Sequence, residues 1–382
     1  MFKRFPNLSS DLLHPVKSLK IVVMESVSFK LTSHFKLPTG LLGGALSLDG
    51  DLLIAACMDG IYQADLKTKE FEKLGEHGSY VSSAAWLHSR GTFLTAGYDG
   101  VLKWFDDESR QVRLERKLHD FWSWDMAVSQ DQSLIASVTG QYLSGGYKYE
   151  PLTESEPSVL LISAETGEVI HRFEHVPSVQ AVAFSADSQF LAAGNLMGEV
   201  RIWNCRSGEL VSKWTTPDFT SWGIIKSHCY LGGIFSLCFT PEGNEVLLTG
   251  MGPMRDPMAG NGRQLWQRWD WQQSPPVKRD ETHKNESGEG LMETIAFHPS
   301  GKFFVMGGRL RGGDLNVAAF DEETGNRIAS LKTGYRVTEV LFPGDGNKMI
   351  LVGMQGQPGP DKNGQVGKFG RIESYEISGL SN

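Results

Sequence analysis

The sequence predicts an all-β fold in which one four-stranded antiparallel unit is repeated. The pattern is clearest in residues 175–214, where four short runs of β-branched and aromatic residues are each bounded by Gly, Asp, Asn or Ser. Such runs are what a four-stranded meander requires. Gly accounts for 43 of the 382 residues, and many tight hairpins would use this excess over the usual content of about 7%. We therefore predict a seven-bladed β-propeller.

The turn between the first and second strand of each unit is the most regular mark along the chain. Successive turns lie 41, 41, 56, 55, 58 and 45 residues apart, counted between their last residues. A unit of just over forty residues, stretched in places, is typical of four-stranded propeller blades. Seven turns predict seven blades. The turns lie at 47–50, 89–91, 129–132, 185–188, 240–243, 298–301 and 342–346.

The two ends of the chain complement each other. Residues 29–37 alternate apolar and polar side chains, the period-2 pattern of a strand, but no unit precedes them. The last unit shows strands at 336–342, 349–353 and 371–377, and the chain stops before a fourth. We predict that the N-terminal strand completes the seventh blade, because closure removes an unpaired sheet edge. Residues 28–382 then form one propeller domain. Residues 1–27 form a non-repeat N-terminal extension. This extension is either disordered, or its first residues were assigned in error and translation starts at Met24.

Composition narrows the class of protein. A net charge of −8 and a pI near 5.7 argue against a general nucleic-acid binder or a protein held at a membrane by charge. Cys57, Cys205, Cys229 and Cys238 form no C-x-x-C pair, so buried free thiols in a reducing compartment are expected. The basic N-terminus lacks the apolar core of a secretory signal. We predict a soluble cytoplasmic protein that needs no cofactor.

Several short motifs recur at matching positions of the unit. They are His77, His119, His175, Asp59-Gly60, Asp99-Gly100, Phe105-Asp106, Trp203-Asn204, Thr166-Gly167, Ser207-Gly208 and Thr324-Gly325. These motifs resemble those of WD-repeat propellers, of which the chain would be a divergent, bacterial-type member. The resemblance covers residues 29–377, but no repeat holds the full set of hairpin Asp, preceding His, strand Ser or Thr, and Trp. By analogy it implies a non-catalytic scaffold that binds other proteins.

The insertions in the repeat are predicted to gather on one rim of the ring. In an antiparallel blade, the link between strands two and three and the link to the next blade open on the same side. We call this side the loop rim and the opposite side the turn rim. Loops positioned by a rigid scaffold often carry function, so we place the binding site on the loop rim. The long links predicted there are 139–158, 250–263, 307–314, 354–370, 215–233 and 274–290.

The candidate partner-binding residues combine aromatic and basic side chains of these links with Trp122, which lies in another link between two blades. Aromatic residues are favoured at interface cores, and Arg forks suit carboxylates, so a partner with an acidic surface is expected. Blade-to-blade packing of the tryptophans and solvated loop charges are the alternative interpretations. The candidates are Tyr147, Tyr149, Trp122, Trp222, Arg255, Arg263, Arg309, Arg311, Lys362 and Lys368.

Motifs for catalysis are missing. The sequence contains no G-x-S-x-G, P-loop or H-E-x-x-H motif, and His77, His119 and His175 recur at one repeat position, which favours structural hydrogen bonding. The alternative function is a propeller hydrolase or lactonase with a metal at the central channel. Its ligands would be Asp256, Asp314, Asp361 and His283, residue types that bind divalent cations.

Overall fold

The described residues form seven antiparallel sheets, as predicted. The computed structural model describes residues 27–140, 157–176, 178–222, 230–256, 261–284, 286, 293–309, 314–356 and 367–379. Within these ranges, the side chains of residues 220–222, 230–232, 251–256 and 261–264 fall outside the description. No helix of the described residues is long and apolar enough to cross a membrane.

An N-terminal strand and three regular blades form the first part of the chain. The N-terminal strand is β1 (Ser28–Phe35). Blade 1 consists of β2 (Leu41–Leu46), β3 (Leu52–Cys57), β4 (Gly60–Asp65) and β5 (Phe71–Gly75). Blade 2 consists of β6 (Val81–Leu87), β7 (Thr92–Gly97), β8 (Val101–Asp106) and β9 (Val112–Lys117), with a 3-10 turn at His88–Arg90. Blade 3 consists of β10 (Asp125–Val128), β11 (Leu134–Val138), β12 (Val159–Ser163) and β13 (Val169–Phe173).

Four more blades follow in chain order. Blade 4 consists of β14 (Val179–Phe184), β15 (Phe190–Asn195), β16 (Glu199–Asn204) and β17 (Leu210–Thr215). Blade 5 consists of β18 (Thr220–Trp222), β19 (Tyr230–Phe239), β20 (Glu245–Asp256), β21 (Asn261–Asp270) and β22 (Val277–Glu281), after a 3-10 turn at Pro217–Phe219. Blade 6 consists of β23 (Thr294–Phe297), β24 (Phe303–Gly307), β25 (Val317–Asp321) and β26 (Arg327–Leu331). Blade 7 contains β27 (Arg336–Leu341), β28 (Lys348–Met354) and β29 (Gly370–Ser378).

The ring is closed by the N-terminal strand, as the sequence predicted. β1 pairs antiparallel with β29 from Ser28 opposite Ser378 to Phe35 opposite Ile372, and the sheet order is β1-β29-β28-β27. The first strands of consecutive blades contact one another, and β2 of blade 1 contacts β27 of blade 7. The seven first strands therefore surround a central channel.

The turns that marked the repeat share one conformation. The last residue of each turn has a positive φ between 56° and 76°, a region that glycine occupies without strain. Five of the seven positions are glycine, and Gln132 and Ser188 occupy the other two. The seven residues are Gly50, Gly91, Gln132, Ser188, Gly243, Gly301 and Gly346.

The hydrophobic core is divided among the blade junctions. The described residues form seven buried clusters, and each cluster joins two neighbouring blades. A blade is therefore covered on both faces, which is why strands such as β3 are continuously apolar. Trp266 of blade 5, for example, packs edge-on against Phe304 of blade 6 at 5.3 Å between ring centroids.

Blade 5 departs from the predicted links in three places. The predicted long link 250–263 is mostly strand, because β20 and β21 stay paired as far as Asp256 and Asn261. The predicted link 215–233 contains β18, which pairs with β19 as a fifth strand. The predicted link 274–290 contains β22, so the connection to blade 6 starts only at residue 282. Paired backbone is satisfied by ladder hydrogen bonds that a loop of this length would lack.

Two carboxyl groups occupy the same repeat position on first strands. Glu339 Oε2 accepts a hydrogen bond from the backbone N–H of Gly44 in blade 1 at 2.5 Å. Asp125 Oδ2 accepts one from Val182 N–H in blade 4 at 3.1 Å. Each carboxylate thus bonds the backbone of the following blade. Burial, together with a smaller effect of the Asp125 charge, raises the pKa of Glu339 to about 8, and burial raises that of Asp125 to about 6.

Glu339 should make folding stability fall as the pH rises. Its pKa in the folded protein is about 8, above its usual 4.5, so the folded state binds this proton more tightly than the unfolded state. The stabilisation is present in full below pH 4.5 and is lost as the pH approaches 8. The slope is at most about 1.4 kcal/mol per pH unit. Denaturant unfolding between pH 6 and 8, above the pKa of Asp125, measures it.

Glu339→Gln is the matched variant, because its amide oxygen still accepts the Gly44 bond and carries no titrating proton. In the variant, the free energy of unfolding should fall less steeply between pH 6 and 8, because the contribution of Glu339 is absent. Parallel pH profiles for the wild-type protein and the variant would contradict the assignment.

Candidate functional site

A buried hydrogen-bond set holds the loop rim of blade 2 together. His77, which precedes the first strand, lies with Nδ1 3.0 Å from Asp99 Oδ1 and with Nε2 2.9 Å from Thr95 Oγ1. Asp99 also accepts the backbone N–H groups of Gly78 at 2.7 Å and Val101 at 3.1 Å. Burial alone would raise the pKa of Asp99, but the hydrogen bond and charge of His77 and these N–H groups lower it to about 2. The set fixes two neighbouring links of the rim.

The other repeat histidines play similar structural roles. His119 Nε2 lies 2.9 Å from Ser137 Oγ, and His175 Nε2 lies 3.3 Å from the carbonyl oxygen of Ala193. Burial lowers the pKa of both imidazoles to about 3, so they stay neutral. The prediction of structural hydrogen bonding over catalysis agrees with these contacts.

Backbone hydrogen bonds connect the links of the loop rim from blade to blade. Tyr98 N–H bonds the carbonyl of Tyr80 at 2.8 Å. Val179 N–H bonds the carbonyl of Thr139 at 3.1 Å, and Val337 N–H bonds that of Gly308 at the same distance. The ends of these links therefore rest on a hydrogen-bonded frame in blade 2, between blades 3 and 4, and between blades 6 and 7.

An aromatic cluster lies on the loop rim at blades 2 and 3. Tyr98 stacks on Trp122 with ring centroids 4.6 Å apart and planes 5° apart. Trp122 also stacks on Phe121 at 5.0 Å and meets Trp124 edge-on at 5.1 Å. Tyr80 lies 5.9 Å from Tyr98. Tyr80 and Trp122 remain 43% and 39% exposed, so large aromatic faces reach solvent.

An arginine cluster lies at the junction of blades 6 and 7 on the same rim. Arg309 Nε donates to Glu293 Oε1 at 2.5 Å, and Arg336 Nε donates to Glu293 Oε2 at 2.7 Å. Glu293 immediately precedes the first strand of blade 6, and Arg336 begins the first strand of blade 7. The cluster therefore sits at the mouth of the central channel and carries two positive charges and one negative charge.

The two clusters are within electrostatic reach of each other. Burial raises the pKa of the Tyr98 phenol, and the charges of Arg336 and Glu293 also act on it in opposite directions. Blade 1 lies between them in the ring, and its link between strands two and three is only residues 58–59. We call the part of the loop rim above this short link, between the aromatic cluster and the arginine cluster, the notch.

The structure describes three of the predicted partner-binding side chains. Trp122 belongs to the aromatic cluster and Arg309 to the arginine cluster. Lys368 lies apart from both, with its ammonium 5.4 Å from the ring centroid of Phe71 on the outermost strand of blade 1. For Trp222, Arg255 and Arg263 only the backbone is described, on β18, β20 and β21. Tyr147, Tyr149, Arg311 and Lys362 lie outside the described residues.

Sequence reasoning missed Tyr80, Tyr98, Glu293 and Arg336. Tyr98 sits beside Asp99-Gly100, which was interpreted only as a repeat mark. Arg336 and Glu293 are 43 residues apart, and nothing local signals their pairing. The exposed position of Tyr80 directly before β6 was the one available signal.

The metal site of the alternative function finds no support in the described part of the chain. In that part no three His, Cys, Asp or Glu side chains gather as a metal would require. His283 lies 3.6 Å from Asp280. Of the other proposed ligands, Asp361 and the side chain of Asp256 lie outside the described residues.

Comparisons with known proteins agree with the repeat. The family described as "WD domain, G-beta repeat" matches residues 68–106 and 167–204. Each match runs from the turn before a fourth strand to the end of the third strand of the next blade. The first match contains His77 and Asp99, and the second contains His175 and Trp203.

Mammalian relatives match parts of the chain. Apoptotic protease-activating factor 1 of Rattus norvegicus is 24% identical over 204 residues, which cover 53% of this chain and 15% of the relative. Its Homo sapiens counterpart is 36% identical over 76 residues, 20% of this chain and 6% of the relative. Telomerase protein component 1 of Rattus norvegicus is 28% identical over 141 residues, 37% of this chain and 5% of the relative. The matched regions thus span less than a sixth of each of these proteins.

Asp99→Ala should destabilise the propeller. The change leaves His77 and two backbone N–H groups without their acceptor, and a loss of about 2–4 kcal/mol in the free energy of unfolding is expected. Denaturant unfolding measures it. Glu108→Ala, at an exposed position in a turn-rim loop of the same blade, is the control and should change little. Equal unfolding midpoints for both variants would show that the set is dispensable.

Seven antiparallel blades, six with four strands and one with five, the His77–Asp99–Thr95 set and the two matched repeats together place this chain in the WD40 β-propeller family.

Proposed function

We propose that this chain is a non-catalytic interaction scaffold that binds a protein partner through its loop rim. Membership of the WD40 family supports the general function, because such propellers present rigid surfaces to other proteins. The links of blades 3, 6 and 7 that open on this rim are longer than any turn-rim link in the chain. The paired strands of blade 5 extend towards the same side.

The aromatic cluster is the observation that carries the proposal. Tyr80 and Trp122 expose 43% and 39% of their surfaces, yet the stacked rings beneath them hold Trp122 in place. The carbonyl of Trp122 also accepts a hydrogen bond from Thr139 Oγ1 at 2.7 Å. A rigid, exposed aromatic surface loses little conformational entropy when a partner covers it, which is the property of interface hot spots.

A cytoplasmic location fits this function. Cys57 and Cys205 are buried free thiols and Cys238 is a half-buried one. Burial raises the pKa of Cys205 and Cys238 to about 12, which keeps them protonated and unreactive. Free thiols are ordinary in a reducing compartment. We propose a protein partner there, with neither nucleic acid nor membrane as the target.

Trp122→Ser should weaken partner capture without unfolding the propeller. Hot-spot aromatics contribute about 2 kcal/mol or more, so recovery of partners by affinity purification from native cells should drop at least tenfold. Leu48→Ser is the matched control, because Leu48 is 75% exposed and lies in the turn rim of blade 1.

The two variants should melt within a few degrees of the wild-type protein. Equal loss of partners in both variants, or loss only with Leu48→Ser, would place the docking surface elsewhere.

A further inference from the structure

The arginine cluster carries a positive charge that its own carboxylate does not neutralise. Both oxygens of Glu293 are occupied, one by Arg309 at 2.5 Å and the other by Arg336 at 2.7 Å and 2.5 Å. Arg309 uses only its Nε in these bonds, and its two terminal amino groups donate to no described residue. The side chains of Arg309 and Arg336 are each 37% exposed, whereas that of Glu293 is 11% exposed. One net positive charge therefore remains on the cluster, and the terminal amino groups of Arg309 have no acceptor among the described residues.

This cluster is held in position before any ligand arrives. Glu293 N–H bonds the carbonyl of Gly307 at 3.0 Å, which fixes the residue beside the second strand of blade 6. The fixed carboxylate then aligns both guanidinium groups. A guanidinium held in one orientation gives up little freedom when it binds a second carboxylate.

The aromatic cluster supplies an apolar surface next to this charge. Tyr98 interacts electrostatically with Arg336 and Glu293 and stacks on the exposed Trp122. Tyr98 thus supports the exposed ring of Trp122 and also lies in the electrostatic field of the arginine cluster.

We propose that the notch between the two clusters binds an acidic peptide segment of the partner. The segment places an Asp or Glu carboxylate on Arg309 and an aromatic or proline side chain on Trp122. This inference rests on the proposed function and names the chemistry that the loop rim recognises.

The charge balance favours a short acidic segment over nucleic acid. A nucleic-acid strand needs a row of cations along its phosphates, while the arginine cluster supplies one uncompensated charge on a protein of net charge −8. One or two carboxylates match that charge, and bidentate hydrogen bonds to Arg give them geometric selectivity.

A panel of synthetic peptides tests the proposal directly. The probes are synthetic peptides of about 12 residues in which a central Trp, Phe or Pro is followed by Glu-Glu, Gln-Gln or Lys-Lys. Binding to the full chain is measured by fluorescence polarisation at low and high salt. The Glu-Glu peptides should bind at least about tenfold more tightly than the Gln-Gln peptides, and this preference should shrink at high salt.

Arg309→Gln and Arg90→Gln are the matched pair of variants. Both arginines form an ion pair with one Glu and are similarly exposed, at 37% and 35%, but Arg90 lies on the turn rim. Arg309→Gln leaves Glu293 paired with Arg336, so the fold should persist. It should lower the affinity for the Glu-Glu peptides about tenfold and leave the affinity for the Gln-Gln peptides unchanged. Arg90→Gln should change neither affinity.

The outcomes separate this inference from the proposed function. Equal affinity for Glu-Glu and Gln-Gln peptides, a preference for Lys-Lys, or no effect of Arg309→Gln would overturn the inference. Absence of binding by every Glu-Glu peptide up to about 1 mM would overturn it as well. Partner capture that still depends on Trp122 would leave the scaffold function standing in each of these cases. If partner capture did not depend on Trp122, the proposed function itself would be contradicted.

Discussion

The pairing of β1 with β29 is the contact on which the rest of the structure depends. It joins residues up to 350 positions apart in the sequence, and the hydroxyls of Ser28 and Ser378 lie 2.7 Å from each other. Without β1, the outer edge of β29 would be unpaired, and unpaired edges invite aggregation. The chain that leaves β1 runs directly into blade 1, so the same pairing brings blades 7 and 1 together.

Closure is reinforced on the inner side of the ring. Thr338 Oγ1 donates to the carbonyl of Leu41 at 3.0 Å, and Glu339 accepts the N–H of Gly44. On the loop rim, Phe369 N–H bonds the carbonyl of Pro38 at 3.2 Å. These bonds fix blade 7 against blade 1, and this fixes the distance across the notch. The position of the arginine cluster relative to Tyr98 is therefore a consequence of how the ring is sealed.

Local patterns predicted most of the fold. The repeated turn and the period-2 strands depend on neighbouring residues, so the seven blades and their closing strand followed from the sequence. Blade 5 was less predictable, because the pairing of β18 with β19 and the extension of β20 and β21 depend on partners across a link.

The candidate site was only partly predictable. Trp122 and Arg309 were named because each lies in an inter-strand link. Tyr98, Glu293 and Arg336 come from blade 2, the approach to blade 6, and blade 7, and only the ring brings them together. The sequence does not show whether a cation pairs with a carboxylate or lies over an aromatic ring. Arg309, which pairs with Glu293, and Lys368, which lies over Phe71, therefore looked alike.

The most direct measurement is a disulfide between the two ends of the ring. The variant with Ser28→Cys and Ser378→Cys places two thiols where the hydroxyls are 2.7 Å apart, within the range that a disulfide spans without large backbone movement. Under mild oxidation, peptide mass spectrometry should find residues 28 and 378 linked within one chain, and the melting temperature should rise. Failure to form this link in the folded protein, or links only between chains, would contradict closure by β1.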